Sequence, residues 1–300
     1  MSSAIEFQRD LDFTYGRLQP VAPGLRRLVC RNPGPYTLHG TGTYVVGEGQ
    51  VAVIDPGPDQ PEHVQALLGE LGDEQVEAIL VTHTHQDHSP AARPLAEHTG
   101  AKIYGYGPHC VAQLPGIPTM EAGVDWDFSP DIALEDNAEL SVGGTRLIAV
   151  HTPGHCRNHL CFRLPDAKAV LTGDHVMGWS TTVVVPPDGD MAQYLASLER
   201  MCELPEQYLV PTHGPAIAEG HGFVRQLLAH RKQREAQLFE ALQAGPATIP
   251  SLVPQLYVGL PEVLHGAAGA SLLAHALHLQ SCGRLKCEGP LGAEALWTVI

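Results

Sequence analysis

Basic side chains are scarce in this chain of 300 residues: 18 Lys and Arg stand against 33 Asp and Glu, a formal charge of −15. The shortage is local. Residues 1–220 hold 12 basic and 28 acidic side chains, a balance of −16, whereas residues 221–300 hold six and five, a balance of +1. A surface of that kind repels polyanions at long range, which disfavours nucleic acid as a partner. Long apolar runs are missing too. Nothing approaches the roughly 18 consecutive apolar residues of a membrane-crossing helix. Residues 1–10 have neither the basic start nor the apolar stretch of an export signal. The expectation is a cytoplasmic protein with no membrane partner. No Cys-x-x-Cys occurs, and the seven cysteines are odd in number and scattered. That argues against a disulfide framework and predicts reduced, mostly buried thiols.

What the chain does have is enough apolar residue, 44%, for one large domain and a smaller one. Short apolar or alternating runs predict strands at 25–30, 42–46, 51–54, 76–81, 102–104, 138–141, 145–150, 160–163, 169–171 and 208–210. Apolar residues at helical spacing predict helices at 61–71, 91–98, 191–203 and 222–243. Strands and helices alternate in two blocks, which points to sheets covered by helices. Residues 105–130, with prolines at 108, 115, 118 and 130, read as a long irregular segment. Beyond residue 244 the pattern becomes helices at 249–255 and 261–280, then a hairpin of 285–287 with 296–299. Two domains are therefore expected, 1–244 and a winged-helix-like 245–300. The 231–234 run, Arg-Lys-Gln-Arg, reads as a solvated helix face, with a phosphate contact as the functional alternative.

Histidine is abundant, at 17. Five segments share one layout, an apolar strand followed at once by polar, metal-binding residue types. They are Asp55-Pro56-Gly57, the run Thr82-His83-Thr84-His85-Gln86-Asp87-His88, Thr152-Pro153-Gly154-His155, Thr172-Gly173-Asp174, and Thr212-His213-Gly214. In α/β folds sites form beyond the carboxyl ends of strands, so five such ends can converge. His83 and His85 alternate on an extended chain and can face one ion. Asp87 and His88 come one turn later and can reach a second. Neutral imidazole suits zinc, and carboxylate can complete its shell. Two ions roughly 3.5–4 Å apart can share a hydroxide nucleophile. Among the other histidines, His175 and His109 are candidate substrate contacts. His151 reads as a strand end, and His159 as solvent-facing, with a place at the pocket mouth as the alternative. Cys156 is an unfavoured ligand, because adjacent side chains diverge.

The order His-x-His-x-Asp-His, then Gly-His, Gly-Asp and His-Gly, resembles the metallo-β-lactamase-fold superfamily over most of residues 20–225. The resemblance implies a four-layer αββα sandwich. It implies that His83, His85 and His155 hold one metal, that Asp87, His88 and His213 hold another, and that Asp174 bridges them. Asp55 matches the aspartate that supports the ligands from behind. A closer likeness is to the beta-lactamase-like protein 2 subgroup, which carries a C-terminal winged helix. It rests on residues 32–37, 43–47, 211–215 and 230–235. Gly42 departs from it, standing where asparagine is expected.

The expected function is a hydrolase with two Zn²⁺, Mn²⁺ or Fe²⁺ being alternatives. Asp87 and Asp174 would be the catalytic carboxylates, and the substrate a small ester, thioester or lactone. A single-strand endoribonuclease is the alternative within this class. A nucleic-acid-binding protein with a vestigial hydrolase domain is a third reading. However, the would-be recognition helix at 261–280 contains no Lys or Arg and reads as a packing or homodimer helix. A diiron flavoprotein is disfavoured, because no flavodoxin-like domain and no early carboxylate replacement are present.

Overall fold

The computed structural model describes residues 5–117 and 123–300. Its first sheet has seven strands in chain order: β1 (Gln19–Ala22), β2 (Leu25–Val29), β3 (Gly42–Glu48), β4 (Gln50–Ile54), β5 (Gln75–Leu80), β6 (Lys102–Gly105) and β7 (Ile132–Ala133). Pairing is antiparallel from β1 to β4 and parallel from β4 to β7. Helix α1 (Pro61–Leu71) makes the crossover from β4 to β5, and α2 (Ala92–Thr99) that from β5 to β6. The second sheet comprises β8 (Glu139–Val142), β9 (Thr145–His151), β10 (Leu160–Leu164), β11 (Ala169–Gly173) and β12 (Tyr208–Pro211), in the order β12-β11-β10-β9-β8. Only β11 and β12 run parallel, and α3 (Met191–Met201) connects them.

Alternation along the strands builds the layers. Tyr44, Ile54 and Leu80 of the first sheet meet Leu147, Phe162 and Leu171 of the second in a central core. Their neighbours Val45, Val53 and Ile79 point the other way, onto Leu67 of α1 and Leu95 of α2. On the far face of the second sheet, Val150, Cys161 and Val170 pack on Tyr194 and Leu198 of α3 and on Leu227 of α4 (Gly220–Gln243). Strands covered on both faces read as continuous apolar runs. The result is the expected αββα sandwich.

The C-terminal part has α5 (Ile249–Leu256), a 3-10 turn at Glu262–Leu264, α6 (His265–Ser281) and the hairpin β13 (Leu285–Glu288) with β14 (Leu296–Val299). Leu238 and Leu242 at the end of α4 join Leu252, Leu272, Leu279 and Trp297 in its core. The helix expected at 261–280 is thus spent on packing within the chain.

Three expectations need correction. Strands β1 and β7 were not foreseen: β1 starts on Gln19-Pro20 and β7 has two residues, too short for a periodic signal. The 231–234 run is not a solvated face. Arg231 is 4% exposed and donates to the Thr182 carbonyl and the Ser271 hydroxyl, while Arg234 lies over the Tyr257 ring. Only Lys232 and Gln233 face solvent. The cysteines are unpaired as expected, but only Cys30, Cys156 and Cys161 are buried. Burial pushes the Cys30 and Cys161 thiols up to about 12, so neither is a nucleophile at neutral pH.

Candidate metal centre

The five strand ends do converge, and Asp55 ties three of them together. It follows β4 with φ of 49° and is fully buried. Its carboxylate accepts from the Thr82 amide and hydroxyl after β5, from the Thr212 hydroxyl after β12, each at 2.8 Å, and from His88 Nδ1 at 2.9 Å. Gly42 explains its departure from asparagine here. Its N–H donates to the Thr212 carbonyl at 2.8 Å, and a Cβ would come within 3.0 Å of that oxygen and 2.8 Å of Arg27 Cδ.

Hydrogen bonds assign the histidine tautomers. His155 Nδ1 faces the Val183 carbonyl at 2.6 Å and His213 Nδ1 the Gly40 carbonyl at 3.2 Å. Carbonyls only accept, so both nitrogens carry the proton and both Nε2 atoms offer a lone pair. The same holds for His88, whose Nδ1 donates to Asp55. The Thr82 hydroxyl gives its proton to Asp55 and accepts from His83 Nδ1 at 3.0 Å, which frees His83 Nε2.

These lone pairs meet. His85 Nδ1 lies 2.9 Å from His83 Nε2 and 3.0 Å from His155 Nε2. Zinc bound tetrahedrally at about 2.05 Å would hold its nitrogens roughly 3.3 Å apart, close to this spacing. In a second group, His213 Nε2 lies 3.1 Å from Asp87 Oδ2 and 3.3 Å from His88 Nε2. Asp174 stands between the groups: Oδ1 is 3.4 Å from His213 Nε2, and Oδ2 is 3.6 Å from His88 Nε2 and 3.9 Å from His155 Nε2. Its Oδ1 is buried and has no hydrogen-bond donor. Such an orphaned carboxylate oxygen, costly to bury, fits a cation. Three donor sets could each hold a metal ion: His83-His85-His155, Asp87-His88-His213, and His83-His88-Asp174.

The charge distribution differs between the two groups. Burial, helped by neighbouring imidazoles, drives His83 far below the ordinary histidine range and His155 down to about 4. Burial opposes charge on His88 and His213 too, but Asp87 and Asp174 overcome it and raise both. Burial would likewise raise Asp87 and Asp174, yet the histidines hold both below the usual carboxylate range.

The remaining expected residues sort clearly. His109 lies at the edge of the cluster: Nδ1 contacts the Thr84 hydroxyl at 2.8 Å, and Nε2 is 3.6 Å from Asp188 Oδ2. His175 is wholly enclosed beside Tyr194, ring centroids 5.0 Å apart, so it is closed off from substrate. His151 ends β9 and bonds the Arg157 carbonyl. Cys156 turns to Asn158 rather than inward. His159 is the other correction, being buried and not solvent-facing. Its Nδ1 meets the Thr152 hydroxyl at 2.9 Å and its Nε2 accepts from the Asp174 amide at 3.2 Å. Gly173 makes room for that ring, since a Cβ would come within 2.5 Å of Nε2. Asp188 was missed by the sequence reading. Its Oδ2 lies 3.7 Å from His85 Nε2, on the side away from the cluster. The irregular segment wraps the histidine run: the Asp125 amide donates to the Thr84 carbonyl, and the Ser89 hydroxyl to Asp125. Pro118 in that segment lies outside the described residues.

Comparison with known proteins agrees with this geometry. Residues 36–213 match the Metallo-beta-lactamase superfamily. The chain belongs to that superfamily. Residues 248–293 match the beta-lactamase associated winged helix domain. The chain is 31% identical to a beta-lactamase-like protein 2 homolog of Drosophila melanogaster, over 87% of this chain and 89% of that one. It is 29% identical to an atrochrysone carboxyl ACP thioesterase of Aspergillus chevalieri, over 82% and 77%. A metallo-beta-lactamase family protein of Thermus thermophilus superposes with a TM-score of 0.74 at 25% identity, over 93% and 99%. The protein is accordingly a metallo-beta-lactamase-fold hydrolase with a His/Asp metal-binding site.

Proposed function

We propose that this superfamily member is a dinuclear zinc hydrolase of small esters, thioesters or lactones. The observation that carries the reading is the orphaned Asp174 carboxylate lying between two converging donor groups. His83, His85 and His155 would hold one ion, Asp87, His88 and His213 the other, and Asp174 both. Divalent ions there would supply Lewis acidity and make water a stronger acid. The chain's own residues do the rest. Asp87 and Asp174 orient the attacking water, Asp55 fixes the rings through His88 and Thr82, and His159 holds the backbone that carries Asp174. Neutral imidazole with carboxylate suits zinc over harder ions.

Substrate class rests on charge and kinship. A relative named as a thioesterase supports acyl transfer to water. Phosphate neutralisation dominates nucleic-acid affinity, and residues 1–220 at −16 with an α6 that lacks Lys and Arg offer little of it. RNA cleavage is therefore the second reading, favoured only by the winged-helix module.

A panel of phenyl acetate, an acetyl thioester, a γ-lactone and single-stranded RNA tests this. Zinc-loaded protein should turn over at least one acyl substrate, and a His85→Ala, Asp87→Ala double variant should lose that activity by at least about 10³-fold. Cleavage of RNA alone, or full acyl turnover by the double variant, would sink the reading.

A further inference from the structure

A cleft of about 300 Å³ adjoins the candidate centre without belonging to it. One wall is the segment running through Pro187 into Met191 at the start of α3. Another is α6 and the wing, with Leu277 and Leu291, and the third is the segment at Leu114. The third wall is anchored to the C-terminal module. Ile117 packs against that module's core, and a Cβ at Gly116 would come within 2.4 Å of the Leu291 carbonyl oxygen.

Arg157 lines this cleft and links it to the histidines. Its amide donates to Asp188 Oδ1 at 3.3 Å, and Asp188 Oδ2 is 3.7 Å from His85 Nε2. The Arg157 guanidinium makes no hydrogen bond or ion pair among the described residues. Four other arginines of this acidic domain are paired: Arg26 with Glu74, Arg146 with Glu139, Arg163 with Glu206 and Arg200 with Asp136. The lining is mixed, with Asp190, His278, Gln280 and Ser281 beside the apolar residues, and Asp190 is occupied in capping α3 through the Gln193 amide. A planar five-donor cation among these walls suits a carboxylate or phosphate.

We propose that the cleft is a substrate subsite, taking an apolar body while Arg157 pairs with an anionic carboxylate or phosphate group on the same molecule. This rests on the hydrolase reading and names its substrate class as anionic acyl compounds. It also gives the C-terminal module a task, since Ala274 and Leu277 of α6, a helix without Lys or Arg, form part of the wall for the apolar body.

The test is calorimetric titration of zinc-loaded protein with 4-phenylbutanoate, 4-phenylbutyl phosphate and neutral 4-phenylbutanamide. At least one anion should bind more tightly than the amide, and the better anion identifies the group. Arg157→Met should weaken that anion about 10- to 100-fold and leave the amide unchanged, with Arg157→Lys intermediate. Leu277→Trp should weaken all three by filling the cleft. Thermal unfolding and metal content of each variant report on folding. The inference fails if Arg157→Met binds the anion as wild type does, if the amide falls equally, if Leu277→Trp changes nothing, or if wild type binds none of the three. Failure of the hydrolase reading would show separately, as absent turnover across the ester panel whatever the titrations give.

Discussion

Asp55 spends both carboxylate oxygens on Thr82, Thr212 and His88, so its removal would reach the metal through hydrogen bonds rather than through a lost ligand. Asp55→Asn keeps the shape but turns an N–H₂ toward groups that already donate. Support of this kind is worth about 10- to 100-fold in metal affinity. The expected result is weaker zinc binding by that factor in chelator competition, with the αββα fold retained by circular dichroism; unchanged affinity would remove Asp55 from the role. A second prediction follows from the histidines. His88 and His213 are raised by the carboxylates beside them. Protons thus compete with metal for these two rings more strongly than for His83 and His155. Occupancy there therefore falls as pH drops. His83 lies far below the ordinary range and His155 at about 4, so their lone pairs stay available in mild acid. Equilibrium dialysis stepped from pH 7.5 to 5.5 should show one ion released before the other. Repeating it with His213→Ala, which should lack that first release, identifies the site; simultaneous loss of both ions from wild type would contradict the assignment. The candidate donors were legible in the sequence because each follows an apolar strand. His159 and Asp188 were not. His159 directly precedes β10, and Asp188 lies in Pro186-Pro187-Asp188-Gly189, where turn chemistry accounts for the residues without any site.

Between the sandwich and the C-terminal module, one segment carries the coupling. Residues 181–190 offer the Val183 carbonyl to His155 Nδ1 and the Thr182 carbonyl to Arg231 of α4. Arg231 also reaches Ser271 of α6, and Glu235, one turn on, contacts His275 and His278 of the same helix. Arg231→Met would leave a buried carbonyl short of a donor, a loss of about 1–3 kcal/mol. Denaturant unfolding should register that loss, and turnover should fall because the segment that carries the Val183 carbonyl to His155 is held less firmly; stability and activity both at wild-type values would break the link. Most elements were legible from periodicity, since strands sealed on both faces leave long apolar runs. The inward turn of Arg231 and Glu235 was not, because composition marks charged helix positions as solvated, and only the arrival of α6 makes them interior.

At the scale of the whole molecule, charge and architecture pull against each other. The winged-helix module suggests nucleic acid, yet the chain is acidic at −15 and α6 buries Leu272, Ala276 and Leu279 in its own core. The order of layers could be anticipated from two strand-helix blocks, whereas the cleft between sandwich and module could not, since its walls come from segments far apart in sequence. Everything proposed for catalysis depends on the convergence of five strand ends on two ions. The most direct measurement is the zinc content of purified wild type, His85→Ala and His213→Ala, with ester turnover before and after chelation. Two ions per chain in wild type, one in each variant, and activity lost on chelation and restored by zinc are predicted. A single ion per wild-type chain, or turnover that survives complete metal removal, would contradict the dinuclear centre.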